Sequence, residues 1–184
     1  MRCLTRMLSA ALLCAAIATA AHAAPDTSIT GIDGIMSTVM QEGQSSFSGL
    51  AFRVRLQSPR FIQGIEFMPT VEYRRNANTI EPFGIKTARK DATLGVDARY
   101  SFGSTGIRPY VGAGFGLHFL STAVDAPSLG INDESHALVK GGLSVLGGAT
   151  FALAGRLENF VELKYLHVTE YRQLKFNWGL AYKL

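Results

Sequence analysis

The last eleven residues constrain this chain more than any other stretch. In Leu174-Lys-Phe-Asn-Trp-Gly-Leu-Ala-Tyr-Lys-Leu184 the even positions Leu174, Phe176, Trp178, Leu180, Tyr182 and Leu184 are all apolar or aromatic. The odd positions are Lys175, Asn177, Gly179, Ala181 and Lys183. A period of two places these sets on opposite faces of a β-strand. Eleven residues at about 3.3 Å each can cross a membrane on a tilted path. One face then meets lipid and the other a polar interior.

The pattern repeats upstream. Leu50, Phe52, Val54 and Leu56 alternate with Ala51, Arg53 and Arg55; Ile65, Phe67, Val71 and Tyr73 with Glu66, Thr70, Glu72 and Arg74. Leu94, Val96, Ala98, Tyr100 and Phe102 alternate with Thr93, Asp97 and Arg99, and Val111 to Phe119 with Gly112, Gly114, Gly116 and His118. Two more strands are expected at about 137–153 and 157–169, with Val139, Leu143, Val145, Val161, Leu163 and Tyr165 facing away from Lys140, Ser144, Glu162 and Lys164. Composition agrees: 47% of residues are hydrophobic and only 17% charged, against about 25% charged in an ordinary soluble domain.

Residues 1–23 read as a cleaved signal peptide. Arg2 and Arg6 precede the apolar run Leu8 to Ala20, and Ala21-His22-Ala23 offers small residues for cleavage after Ala23. Leu13 before Cys14 argues against a lipoprotein. Both cysteines, Cys3 and Cys14, fall in this leader, so residues 24–184 hold neither a disulfide framework nor a Cys-ligated metal. Beyond the leader no run of about 18 apolar residues occurs, which excludes a helical membrane protein. Removing Arg2 and Arg6 leaves 16 basic residues against 14 acidic, too slight and scattered an excess for nucleic acid.

Seven strands are visible, but an outer-membrane barrel uses an even number, with short turns on the periplasmic side and longer loops outside. The short joints fall at 57–60, 102–107 and 154–157, and long loops are expected at about 75–91 and 121–136. With the terminal strand ending in the periplasm, an outward strand must precede Leu50. Residues 28–40 are the candidate, turning at Glu42-Gly43, although their alternation is poor.

The stretch Pro109-Tyr-Val-Gly-Ala-Gly-Phe-Gly-Leu-His-Phe119, the terminal strand and the leader together resemble the small outer-membrane barrels of the OmpA, OmpX and opacity-protein type. Trp178, Leu180, Tyr182 and Leu184 resemble the C-terminal assembly signal of such proteins, with Leu184 where Phe is usual. The resemblance implies an all-β, eight-stranded antiparallel up-and-down transmembrane β-barrel over 24–184, located in the bacterial outer membrane. It implies no catalytic residues. Implied partners are outer-membrane lipid, lipopolysaccharide and the barrel assembly machinery, and the chain is expected to be a monomer without cofactors. A soluble domain after the barrel is not expected.

The alternation sends Arg53, Arg55, Glu66, Glu72, Asp97, Arg99, Lys140, Glu162 and Lys164 into the lumen. An eight-stranded lumen is only just wide enough for side chains. Unpaired charges there are costly, so these five basic and four acidic groups are expected to pair and close the barrel. Gly112, Gly114 and Gly116 would make room for long neighbours. The expected function is therefore a structural or interaction protein whose extracellular loops contact the envelope or a partner. The segment Arg74 to Asp91 is net basic through Arg75, Lys86, Arg89 and Lys90, suited to lipopolysaccharide phosphates. Two alternatives are a narrow porin-like channel and an enzyme that modifies lipid A. The enzyme would need a His with a Ser and a carboxylate near the outer leaflet; His118, His136 and His167 lie near the expected extracellular ends, with Ser121, Ser135, Asp133, Glu134 and Glu170 close in sequence. The bland reading of His118 is a hydrogen-bonded lumen residue.

Overall fold

The computed structural model describes residues 27–41, 46–58, 64–80, 85–103, 106–126, 131–168 and 171–184, with backbone alone for 77–80, 85–86, 123–126 and 131–136. The leader at 1–23 and the turn at Glu42-Gly43 lie outside the described residues.

Eight strands follow one another: β1 (Ser28–Gln41), β2 (Phe47–Gln57), β3 (Ile65–Ile80), β4 (Ile85–Ser101), β5 (Ile107–Ala126), β6 (Ile131–Ala154), β7 (Leu157–Val168) and β8 (Tyr171–Lys183). Each pairs antiparallel with the next, and β1 closes on β8 from Gly31↔Lys183 to Gln41↔Gln173. Closure leaves no strand edge, the condition for a sheet to stand in hydrocarbon, where unpaired backbone groups cannot be satisfied. The strand inferred by parity at 28–40 is β1. Its alternation is weak because its inward side carries Ile35 and Val39 beside Asp33 and Ser37, while its outward side includes Gly34 and Thr38.

The two long loops are corrected by the structure. Where loops were expected at 75–91 and 121–136, the ladders continue: β3 and β4 pair as far as Ile80↔Ile85, and β5 and β6 pair out to Ala126↔Ile131. These are tall β-hairpins rising past the barrel rim. At the opposite end β6 turns tightly into β7 through Gly155-Arg156, with Gly155 at φ 56°, a left-handed conformation that suits glycine.

The outer surface is a belt of exposed apolar side chains. Leu50 and Leu143 are 66% and 65% exposed, and Ile107, Val139, Phe115, Val96 and Trp178 stand out likewise. Along β8, Leu174 to Leu184 spans about 34 Å, or roughly 25 Å normal to the membrane at ~40° tilt, the height of an outer-membrane apolar band. Tyr73, Tyr165 and Phe119 lie toward one end, and Tyr100, Phe102 and Tyr182 toward the other. Tyr and Trp favour such levels, where apolar and wet surroundings meet. No helix among the described residues is long and apolar enough to cross a membrane.

The inside is inverted. A small apolar cluster of Ile35, Phe160 and Ala181 is buried, with Ala51 against it, and Met68 and Tyr110 are also enclosed. Val39, Leu146, Leu166 and Val168 are buried as well, and the other enclosed side chains are mostly polar or charged.

Candidate functional site

The inward positions build three tiers of paired charge, stacked along the barrel axis. The lowest lies near the tight turns. Arg53 of β2 donates from both terminal nitrogens across the lumen to Glu162 of β7, at 3.2 and 3.0 Å. Glu162 also accepts from the Tyr110 hydroxyl at 3.1 Å and from Asn177 Nδ2 at 2.8 Å. Arg55 Nε lies 2.7 Å from Asp33 Oδ1, an ion pair off the ideal hydrogen-bond axis, while its Nη1 donates to Glu158 at 3.2 Å. Glu158 gathers Arg108 and, at 2.6 Å, Lys183 as well. Arg99 donates to Glu66 at 2.8 Å and lies over the Tyr110 ring at 4.8 Å. Arg53 in turn covers the Phe160 ring at 5.6 Å, which is how an aromatic side chain sits stably amid charges.

The middle tier is Asp97. Lys164 reaches both its oxygens at 2.6 and 2.7 Å, and Ser144 donates at 3.4 Å. Gly114, its cross-strand partner, is what lets the carboxylate lie flat on β5: a Cβ there would collide with Asp97 Oδ1 and stand 2.8 Å from the Val96 carbonyl. The other two glycines play different parts. A Cβ at Gly112 would collide with the Ala98 carbonyl and crowd Leu146, so it accommodates backbone rather than a long charged chain. Gly116 has only ordinary contacts, beside Thr93 and His118.

The upper tier faces the tall hairpins. Glu72 accepts from Lys175 at 2.9 Å and Ser37 at 2.7 Å. Arg74 donates to Asp91 at 2.7 Å, Gln173 at 3.3 Å and Thr93 at 3.4 Å. Gln173 passes a further hydrogen bond to Gln41 at 3.1 Å. His118 Nδ1 lies 2.9 Å from Thr93 Oγ1 and 3.6 Å from Asp91 Oδ1. Between the middle and upper tiers, His118, Ser144, Lys164 and Lys175 border a cavity of about 20 Å³, the room one water molecule needs. At the mouth the Tyr171 ring lies under Arg89 at 5.9 Å and Lys140 at 5.8 Å.

Of the nine residues expected in the lumen, Arg53, Arg55, Glu66, Glu72, Asp97, Arg99, Glu162 and Lys164 take part in these tiers. Lys140 stands higher, at the mouth over Tyr171. The sequence reading missed Asp33, Glu158 and Lys175 as partners. It set Arg74 on the inward side opposite Tyr73 while also counting it with the basic loop segment, and it put Asp91 in the loop; both are buried and paired with each other. The basic character expected of that loop is thereby reduced to its outward and upper residues. Among the histidines, His118 is enclosed in the lumen while His167 is exposed on the outer face of β7; the side chain of His136 lies outside the described residues. Trp178, Leu180, Tyr182 and Leu184 all stand on the lipid face, 42–61% exposed.

No family model matches the chain, and no curated protein is detectably similar in sequence. Solved structures are similar in fold. Neisserial surface protein A (NspA) superposes with a TM-score of 0.61 at 20% identity, covering 86% of this chain and 99% of that one. Ail of Yersinia pestis, solved with the heparin analogue sucrose octasulfate, gives 0.59 at 14% identity over 86% and 99%. A major outer membrane protein of Thermus thermophilus gives 0.66 at 12% identity over 84% and 99%. The architecture is that of small eight-stranded outer-membrane barrels.

Proposed function

We propose that this chain is a closed outer-membrane barrel that works as a structural and interaction protein of the envelope, through its outer surface and tall hairpins rather than through a pore or a reaction. The observation that carries this reading is the filled lumen. From Arg55 to Lys175 the axis is occupied by carboxylates and cations within hydrogen-bond reach of each other, and an ion would have to displace several buried pairs to pass. Each displaced group would lose its partner in a region of low dielectric, a cost of several kcal/mol.

The enzyme reading needs an accessible His near the outer leaflet. His118 points into a packed interior with Thr93 and Asp91, and His167 is on the opposite side of the sheet wall. Neither can share a substrate with the other. What remains available to the outside is the belt, the rim and the β3–β4 and β5–β6 hairpins, whose ladders run out to Ile80↔Ile85 and, past an irregularity after Val124, to Ala126↔Ile131, as projections suited to holding a partner surface.

Planar-bilayer recording tests the closed lumen. The expected result is no steady single-channel current from the folded chain. A reproducible open state in most insertions would overturn the reading in favour of the porin-like alternative.

A further inference from the structure

Two cations face each other on the lipid side of the wall. Arg75 of β3 and Lys90 of β4 are cross-strand partners. The pleat turns both outward, because their neighbours Arg74 and Asp91 point into the lumen. Like charges directly opposite on one sheet face repel, and among the described residues neither makes an ion pair. An anion between them would remove the repulsion.

Below the pair lies a path for something apolar. The next outward position on β4 is Ala92, flanked across the strands by Tyr73 and Phe119. A small residue between two rings leaves a furrow. Leu94, the next outward position, lines a groove of about 300 Å³ with Pro69, Val96, Phe115 and Leu117, nearly all carbon. From Lys90 to Val96 the strand rises about 20 Å, or roughly 15 Å along the membrane normal at ~40° tilt. That is a little over half of the roughly 25 Å apolar band. The cation pair thus marks the outer interface and the groove ends near the midplane, so the feature has the depth of one leaflet.

We propose that this face of β3, β4 and β5 binds one phosphorylated glycolipid of the outer leaflet, of the lipid A type, with a phosphate between Arg75 and Lys90 and an acyl chain along Ala92 into the Pro69–Val96 groove. The proposal rests on the outer-membrane reading above and names the lipid class and the residues. A second protein copy fits less well, since it would leave two opposed cations facing a neighbour in the membrane.

Native mass spectrometry of the refolded chain in detergent micelles, titrated with bisphosphorylated lipid A, dephosphorylated lipid A or phosphatidylglycerol, tests it. The bisphosphorylated form is expected to bind at least about tenfold more tightly than dephosphorylated lipid A, as two charge-assisted contacts imply, and more tightly than phosphatidylglycerol, whose phosphodiester carries a single charge where a phosphomonoester carries nearly two. Arg75→Gln/Lys90→Gln should abolish that preference. Ala92→Leu, which fills the furrow but keeps the charges, should weaken all three lipids. Arg172→Gln, an outward cation of β8, should leave the preference within about twofold. Equal binding of all three lipids, or an equal loss from Arg172→Gln, overturns the site. A chain that shows no heat-dependent shift on SDS gels would instead overturn the outer-membrane reading itself, so the two failures are distinguishable.

Discussion

Glu162 holds the lowest tier together, and neutralising it tests the charge-paired lumen directly. Its carboxylate takes both terminal nitrogens of Arg53, the Tyr110 hydroxyl and the Asn177 amide. Arg53 is 1% exposed and its other carboxylate neighbour, Asp33, is 4.0 Å away and already engaged by Arg55. With charge centres about 4 Å apart and an effective dielectric near 20, the pair is worth about 4 kcal/mol of Coulomb energy. Glu162→Gln keeps the shape and an acceptor but strands the guanidinium, so it should cost about 3–5 kcal/mol, the range for breaking a buried pair from one side. Arg53→Met should cost less, about 2 kcal/mol, because Glu162 retains its two neutral donors. The double variant should fall well short of the sum, since removing both charges also removes their desolvation penalty.

The assay is equilibrium urea unfolding in phospholipid vesicles under conditions where folding is reversible, read by tryptophan fluorescence. Trp178 is the only tryptophan and stands on the lipid face, so its emission follows insertion and release. The cycle should return a coupling of about 2 kcal/mol or more. If Glu162→Gln costs under about 1 kcal/mol and the two changes add, then water or mobile ions screen this region and the lumen is not a dry paired core.

Other outcomes follow from other parts of the wall. Gly114→Val should destabilise by about 2 kcal/mol or more, because the branched side chain must displace Asp97 from Lys164; the same unfolding curves measure it. Leu143→Arg, at a 65% exposed position level with Phe115 and Val96, should cost about 2–4 kcal/mol in vesicles. An effect under about 0.5 kcal/mol would mean that this face meets water. Tyr171→Ala removes the ring beneath Arg89 and Lys140 and should loosen the mouth without opening conductance, since the tiers beneath remain; steady current from this variant in planar bilayers would place the seal at the mouth instead.

The sequence was most legible where one face of a strand meets lipid and the other meets charge. Leu174 to Leu184, Leu94 to Phe102 and Val111 to Phe119 alternate for that reason, and their outward and inward sets are those seen in the structure. The pattern fades for two separate physical reasons. In β1, Ile35 turns inward to the Phe160 cluster rather than to a carboxylate partner, and Val39 is buried on the same side. An apolar residue on the polar face erases the period without breaking the ladder. Above the membrane the cause is different: Asn76-Ala-Asn-Thr-Ile80 and Ile131-Asn-Asp-Glu-Ser135 mix polar and apolar residues without a period of two, although backbone pairing continues to Ile80↔Ile85 and Ala126↔Ile131. Reading period two as the test for a strand therefore ended these strands at the bilayer surface. That error also moved Asp91 into a loop, because its inward direction, and its pairing with Arg74, are visible only once the ladder is known to extend past Ala92.

Pairing was less legible than facing. Arg53 and Glu162 are separated by 109 residues and lie on strands that are not neighbours in the wall. Cross-strand register places Arg53 beside Asp33 and Thr70, yet its terminal nitrogens bond across the lumen. Barrel closure decides that choice, since it alone fixes which inward side chains meet across the narrow interior. A linear pattern can count the charges entering the lumen. Only the closed wall assigns Asp97 to Lys164 and Glu72 to Lys175; with Asp33 already taken by Arg55 across the β1–β2 pair, those assignments leave Glu162 as the principal partner of Arg53.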